Sequence, residues 1–144
     1  MAGGKRTKSF SARFSAELVE KLSEHSGRAG LSNARVAERL IEEGLQMEEF
    51  PGVVFRAGPT GRRAGIAGGP DVWEVVRDLK HAARAGASDP IEAVSRSSGL
   101  DRTRVELAAS FYAAYPGEVD ERIRLGEEAA ARLRRALDAA ASAA

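Results

Sequence analysis

The sequence predicts a mainly α-helical chain with two small β elements, and three features carry that prediction. Side chains change from a period of two to one of about three and a half between Lys5 and Leu45. Two short apolar runs flank a Gly-Pro turn between Val53 and Ile66. From Asp71 onward, apolar stripes at helical spacing are punctuated by glycine and proline.

The first element is the segment Lys8 to Phe14. Alternation puts Phe10, Ala12 and Phe14 on one face and Thr7, Ser9, Ser11 and Arg13 on the other, the pattern of a half-covered strand. A lone strand leaves unpaired backbone groups on both edges and an uncovered apolar face. No second strand follows nearby, so a second copy of the chain is the most economical partner. Two amphipathic helices do follow. The first opens at Ser15 and carries Leu18, Val19 and Leu22; the second opens at Ser32 and carries Val36, Ala37, Leu40, Ile41 and Leu45. Between them Gly27-Arg28-Ala29-Gly30-Leu31 supplies a helix stop and a turn.

The strand Ser9 to Phe14, the helix start Ser15-Ala16-Glu17-Leu18 and the Gly30-Leu31-Ser32-Asn33 turn resemble the ribbon-helix-helix family, the CopG and Arc-type repressors. The resemblance spans residues 5 to 46. It implies that strands of two chains pair into an antiparallel ribbon lying in the DNA major groove. By position it implies that Ser9, Ser11 and Arg13 face bases, and that the backbone around Ser32, Asn33 and Ala34 binds phosphate. Phe10, Ala12, Phe14, Leu18, Leu22, Val36, Leu40 and Ile41 would then form the dimer core. Ala12 departs from the family, in which a larger aliphatic residue is usual there. Independent chemistry points the same way. Arg13 offers a planar fork matched to the two acceptors of guanine, whereas serine hydroxyls discriminate weakly. Lys5, Arg6 and Lys8 precede the first acid, Glu17, and suit phosphate tracking.

The chain of 144 residues has a formal net charge of only +1, so global electrostatics do not argue for nucleic acid. Distribution does, because the basic residues at the start are unopposed while Glu38, Glu42, Glu43, Glu48 and Glu49 face a single Arg39. The glutamates read as a solvated face. Cysteine is absent, which excludes disulfides, thiolate metal sites and cysteine nucleophiles. No apolar run approaches the roughly eighteen residues of a membrane span, and no apolar segment follows the basic start, so a cytoplasmic, nucleoid-associated protein is expected.

Helical pattern stops near Glu49. Val53 to Arg56 and Arg63 to Ile66 read as a hairpin around Gly58-Pro59, and Gly68-Gly69-Pro70-Asp71 starts a helix with the stripe Val72, Val75, Val76, Leu79 and Ala83. Two further helices, Asp89 to Ser97 and Asp101 to Tyr115, are joined by Ser98-Gly99-Leu100, the spacing of a helix-turn-helix. Phe50-Pro51-Gly52-Val53, Gly58-Pro59, the Gly68 to Trp73 segment and Tyr112-Ala113-Ala114-Tyr115-Pro116 are similar to a small domain of some VapB-type antitoxins. That similarity implies repression of the chain's own operon and neutralisation of a PIN-like ribonuclease toxin.

In the tail, Val119, Ile123, Gly126, Ala130, Leu133, Leu137 and Ala140 recur at alternating steps of four and three. This seam needs a surface, either its own second domain or the groove of a partner. Arg122, Arg124, Arg132, Arg134 and Arg135 are candidates for pairing with an acidic nuclease site, although most read as ordinary solvated charges.

The expected fold is therefore an N-terminal ribbon-helix-helix (1–47), a hairpin plus three-helix domain with helix-turn-helix character (50–116), and a helical tail (117–144) that binds the toxin. The expected function is an antitoxin that represses transcription as a homodimer on operator DNA. Two alternatives stay open: a stand-alone regulator without a toxin, and an interaction module that binds no DNA. An enzyme, a metal and a cofactor are not expected, since His25 and His81 stand alone and the paired glutamates point to different helix sides.

Overall fold

The computed structural model describes Gly4, residues 6–58 and residues 60–143. It is mainly α-helical, with the order α1 (Ala16–Ala29), α2 (Asn33–Glu49), β1 (Val53–Arg56), β2 (Arg63–Ile66), α3 (Val72–Arg84), α4 (Pro90–Ser98), α5 (Arg102–Ala114) and α6 (Pro116–Ser142). The chain divides into two compact units, Met1–Glu42 and Glu43–Ala144, and the division falls inside α2. Among the described residues, no helix is long and apolar enough to cross a membrane.

Local chemistry accounts for the helix ends of the first unit. Ser15 caps α1 by accepting the Leu18 amide at 3.2 Å. Gly30 closes the helix at φ 66°, a left-handed conformation that favours glycine, and Leu31 N–H returns to Ser26 O. Ser32 Oγ accepts the Arg35 amide at the start of α2. The expected strand at residues 8–14 is not formed within one chain: residues 6–15 take neither helix nor strand. Extended backbone is held only by bonds to a neighbouring strand, and among the described residues the one sheet is β1 paired with β2.

The second unit is built around that antiparallel hairpin, with Val53 opposite Ile66 and Arg56 opposite Arg63. Pro59, in the expected turn, lies outside the described residues. Val53, Ala64 and Ile66 face Val72, Val75 and Val76 of α3, Val105, Ala108 and Phe111 of α5, and Val119 and Ile123 of α6 in one core. Phe111 is its centre, with the rings of Phe50, Phe55 and Tyr115 set edgewise or tilted at 5.5, 6.5 and 5.0 Å. α5 ends where Tyr115 leaves the helical region before Pro116, which cannot continue the helix but can begin α6. Trp73 lies so close to Gly126 that a Cβ there would meet its ring at 2.5 Å, so only glycine lets α6 pass at that point.

Charge pairing fixes the hairpin. Asp71, only 7% exposed, receives the Nε of Arg63, forms an ion pair with Arg56 Nε at 3.2 Å and accepts from Trp73 Nε1 at 3.3 Å. Arg56 Nη2 also donates to the carbonyls of Gly69 and Pro70, both at 2.9 Å. Glu43 corrects the expectation of a solvated glutamate face. It is buried and grips Arg62 bidentately at 2.6 and 2.9 Å, because removing a carboxylate from water is tolerable only with such a partner. Glu43 also holds the Arg62 guanidinium above its ordinary pKa.

A second clasp joins α3 to α6. Lys80 Nζ lies 2.7 Å from Asp120 Oδ1, and the Tyr112 hydroxyl donates to the same oxygen at 2.9 Å. Lys80, followed by Tyr112, holds the Asp120 carboxyl below its ordinary 3.8. A group depressed in this way stabilises the fold fully above its unfolded value and loses that contribution as pH falls through the folded one. An NMR titration should place the Asp120 midpoint below 3.8 and return it upward in Lys80→Met. Phe111→Ala should cost about 3–5 kcal/mol in urea denaturation, since it empties the centre of the core.

Candidate nucleic-acid interface

The first unit buries little of itself. Val36, fully buried, is its one buried apolar residue among those described, and Ser26 is buried beside it with its hydroxyl donating to Leu22 O at 2.8 Å. Asn33 Nδ2 donates to Ser23 Oγ at 2.9 Å and Arg39 Nη2 donates to His25 Nε2 at 3.2 Å, bracing α2 against α1 with polar contacts. Meanwhile Phe10, Phe14 and Ile41 are 87%, 61% and 55% exposed. Leu18, Val19, Leu31 and Leu40 are exposed as well. Of the expected dimer core, Leu22 is half-buried and Ala12 exposed, so Val36 alone is covered within one chain.

The basic leader lies beside this apolar set in sequence. Arg6, Lys8, Ser9, Ser11 and Arg13 are all exposed, and Lys5 lies outside the described residues. The first acid, Glu17, is turned toward Lys21 at 3.1 Å in an exposed pair. At the start of α2 the first turn holds no acid and Arg35 lies within it, so the helix end keeps its positive character. The Asn33 side chain is committed to Ser23. Only the backbone there is left to meet an anion, at the amides of Asn33 and Ala34 that open the helix.

The helix-turn-helix of the second unit is chemically different. Gly99 ends α4 and Asp101 caps α5, accepting the Arg104 amide at 3.0 Å. Arg102 is held by Asp89 at 2.8 Å, Glu106 at 3.0 Å and Glu92 at 3.5 Å. Arg102 is also the main reason the Asp89 carboxyl lies below its ordinary value. Arg104 donates to Ala67 O. Both basic residues at the opening of α5 are thus fastened within the unit, which leaves that helix without a free cation to present to phosphates.

No family model, curated protein or solved structure matches the chain. The argument for a site therefore rests on the chemistry of its own residues. Among those described, no group of three or more His, Asp or Glu could hold a metal ion.

The tail residues divide into two sets. Val119 and Ile123 are buried in the core of the second unit, and Arg122 donates to Thr60 O and to Arg62 O, pinning the hairpin loop. Arg124 is chelated by Glu121 and Glu128 on its own helix. Ala130, Arg132, Leu133, Arg134, Arg135 and Leu137 are exposed. The heptad seam is used internally in its first half and uncovered in its second. Sequence reasoning had no handle on Asp71 as the hub of the hairpin, because its partners Arg56 and Arg63 meet it only across the strands; the one local signal was its place before a helix.

Proposed function

We propose that this chain is a homodimeric, sequence-specific DNA-binding repressor of the ribbon-helix-helix type, acting as the antitoxin of a type II toxin–antitoxin pair that controls its own operon. The observation that supports this reading is the pairing of an exposed apolar set, from Phe10 to Ile41, with an adjoining basic extended segment in a unit that buries a single apolar side chain. Water penalises such a surface, and a second copy with the same pattern covers it while pairing residues 8–14 into a two-stranded ribbon. Phe10 and Phe14 then turn inward, and strand alternation turns Ser9, Ser11 and Arg13 outward. Arg6, Lys8 and the α2 amides supply phosphate contacts, and Arg13 supplies most of the base readout. The protein works without cofactor or catalysis.

The toxin half of the proposal, a PIN-like ribonuclease as partner, draws on the uncovered second half of the tail seam at Ala130, Leu133 and Leu137 with Arg132 and Arg134 beside it. One observation favours the rival, a regulator without a toxin: Val119 and Ile123 of that seam already have an occupant in their own unit. Co-expression with the product of the adjacent reading frame separates the two, since a nuclease that copurifies supports the antitoxin reading and its absence supports the rival.

Sedimentation of the purified chain should give twice the monomer mass, and Phe14→Ser with Ile41→Ser should give the monomer mass together with loss of helical circular dichroism. On DNA upstream of its own reading frame the protein should give a sequence-specific mobility shift at physiological salt. Arg13→Ala should weaken that binding by about 1–3 kcal/mol, while Lys8→Ala should lower affinity for all sequences alike and reduce the salt slope by about 1. Unchanged operator affinity in Arg13→Ala would remove the ribbon as the reader.

A further inference from the structure

α3 and α6 enclose two adjoining cavities, of about 240 and 600 Å³, that share Arg77, His81 and Glu127 in their walls. The α3 wall is basic by helical spacing: Arg77, Lys80, His81 and Arg84 fall at i, i+3, i+4 and i+7, one side of the helix. The α6 wall adds Arg124 at one end and Arg134 at the other, and its lining between them includes Ile123, Gly126 and Ala130. The larger cavity falls within the range of about 300–1,000 Å³ that small ligands occupy.

Charge accounting decides what such a groove attracts. Asp78 is taken by Arg77 at 2.9 Å, and Asp120 by Lys80 and the Tyr112 hydroxyl. Arg124 is taken by Glu121 and Glu128. Among the described residues, His81, Arg84, Arg134 and Glu127 make no ion pair or side-chain hydrogen bond. Two guanidiniums and an imidazole therefore face the groove uncommitted against one carboxylate. Guanidinium matches the tetrahedral oxygens of phosphate in paired hydrogen bonds, and a cleft between low-dielectric walls concentrates its field.

We propose that the α3–α6 groove binds a phosphate-bearing anion, held by Arg84 and Arg134 with His81 between them, and that Glu127 sets an upper limit on its affinity. The ligand is either a free phosphate compound or the phosphodiester backbone of nucleic acid. This groove belongs wholly to the second unit, so its occupancy is independent of the N-terminal ribbon.

Trp73, the sole tryptophan, reports on the groove: Arg77 stands over its ring at 5.3 Å and Gly126, which lines the larger cavity, packs against it. The test is fluorescence titration of the full chain with sodium pyrophosphate and, in a Lys8→Ala/Arg13→Ala background, with a short mixed-sequence duplex. The expected result is a saturable change that weakens at least tenfold in Arg84→Ala/Arg134→Ala and tightens in Glu127→Gln, a gain that a misfolded variant cannot produce. Saturation by pyrophosphate assigns a free phosphate compound, and saturation by the duplex alone assigns nucleic-acid backbone. No saturable change with either probe, or one indifferent to all three substitutions, overturns the proposal.

Discussion

Two short helices and an extended leader do not enclose a core, and that constraint governs the first unit. Its single covered apolar side chain, Val36, is held between helices joined mainly by polar braces, Asn33 to Ser23 and Arg39 to His25. Burial of apolar surface is the main favourable term in folding, and units this small generally need help from a metal, a disulfide or a second chain. The chain has no cysteine, and no metal-binding group of acids and histidines exists among its described residues. Association is the remaining route, and Phe10, Phe14, Leu18, Leu40 and Ile41 are the side chains it would cover. Placing the base-facing groups on the alternate side of the same segment makes dimer formation and DNA reading one event in the proposed function.

The second unit is self-sufficient, and its arginines show why charge alone is a poor guide to function. Arg56 and Arg63 neutralise Asp71, Arg62 neutralises Glu43, and Arg104 and Arg122 bond backbone carbonyls of the hairpin and its flanks. These residues serve the fold, each satisfying a carboxylate or carbonyl that would otherwise be left unpaired. Arg84 and Arg134 differ from them in having no such task, which is why a ligand is sought at that groove and not at the hairpin. The same distinction separates the α5 opening, where every cation is engaged, from the leader, where Arg6, Lys8 and Arg13 stand exposed.

Patterns confined to one element were legible in the residues. Ser15, Gly30, Ser32, Gly99 and Pro116 mark helix ends through short-range bonds and backbone geometry, and a reader of the sequence can place them without knowing what lies across the molecule. The hairpin around Gly58 and the stripe Val72, Val75 and Val76 were legible for the same reason. The segment 8–14 shows where this stops: its alternation is a strand pattern, yet a strand is a relation between two segments, and one chain offers it no partner.

By itself, then, the sequence determined the helices, the hairpin and the separation of an unopposed basic start from an acidic stretch, because those depend on neighbours within about four residues. Tertiary structure alone decided that Glu43 is buried against Arg62, that Asp71 gathers Arg56, Arg63 and Trp73, and that Gly126 exists to admit an indole ring. It also decided which half of the tail seam is already occupied. Each of these joins residues far apart in the chain, and the energy of burying a charge or packing a ring is set by what the fold brings next to it, which no local pattern records.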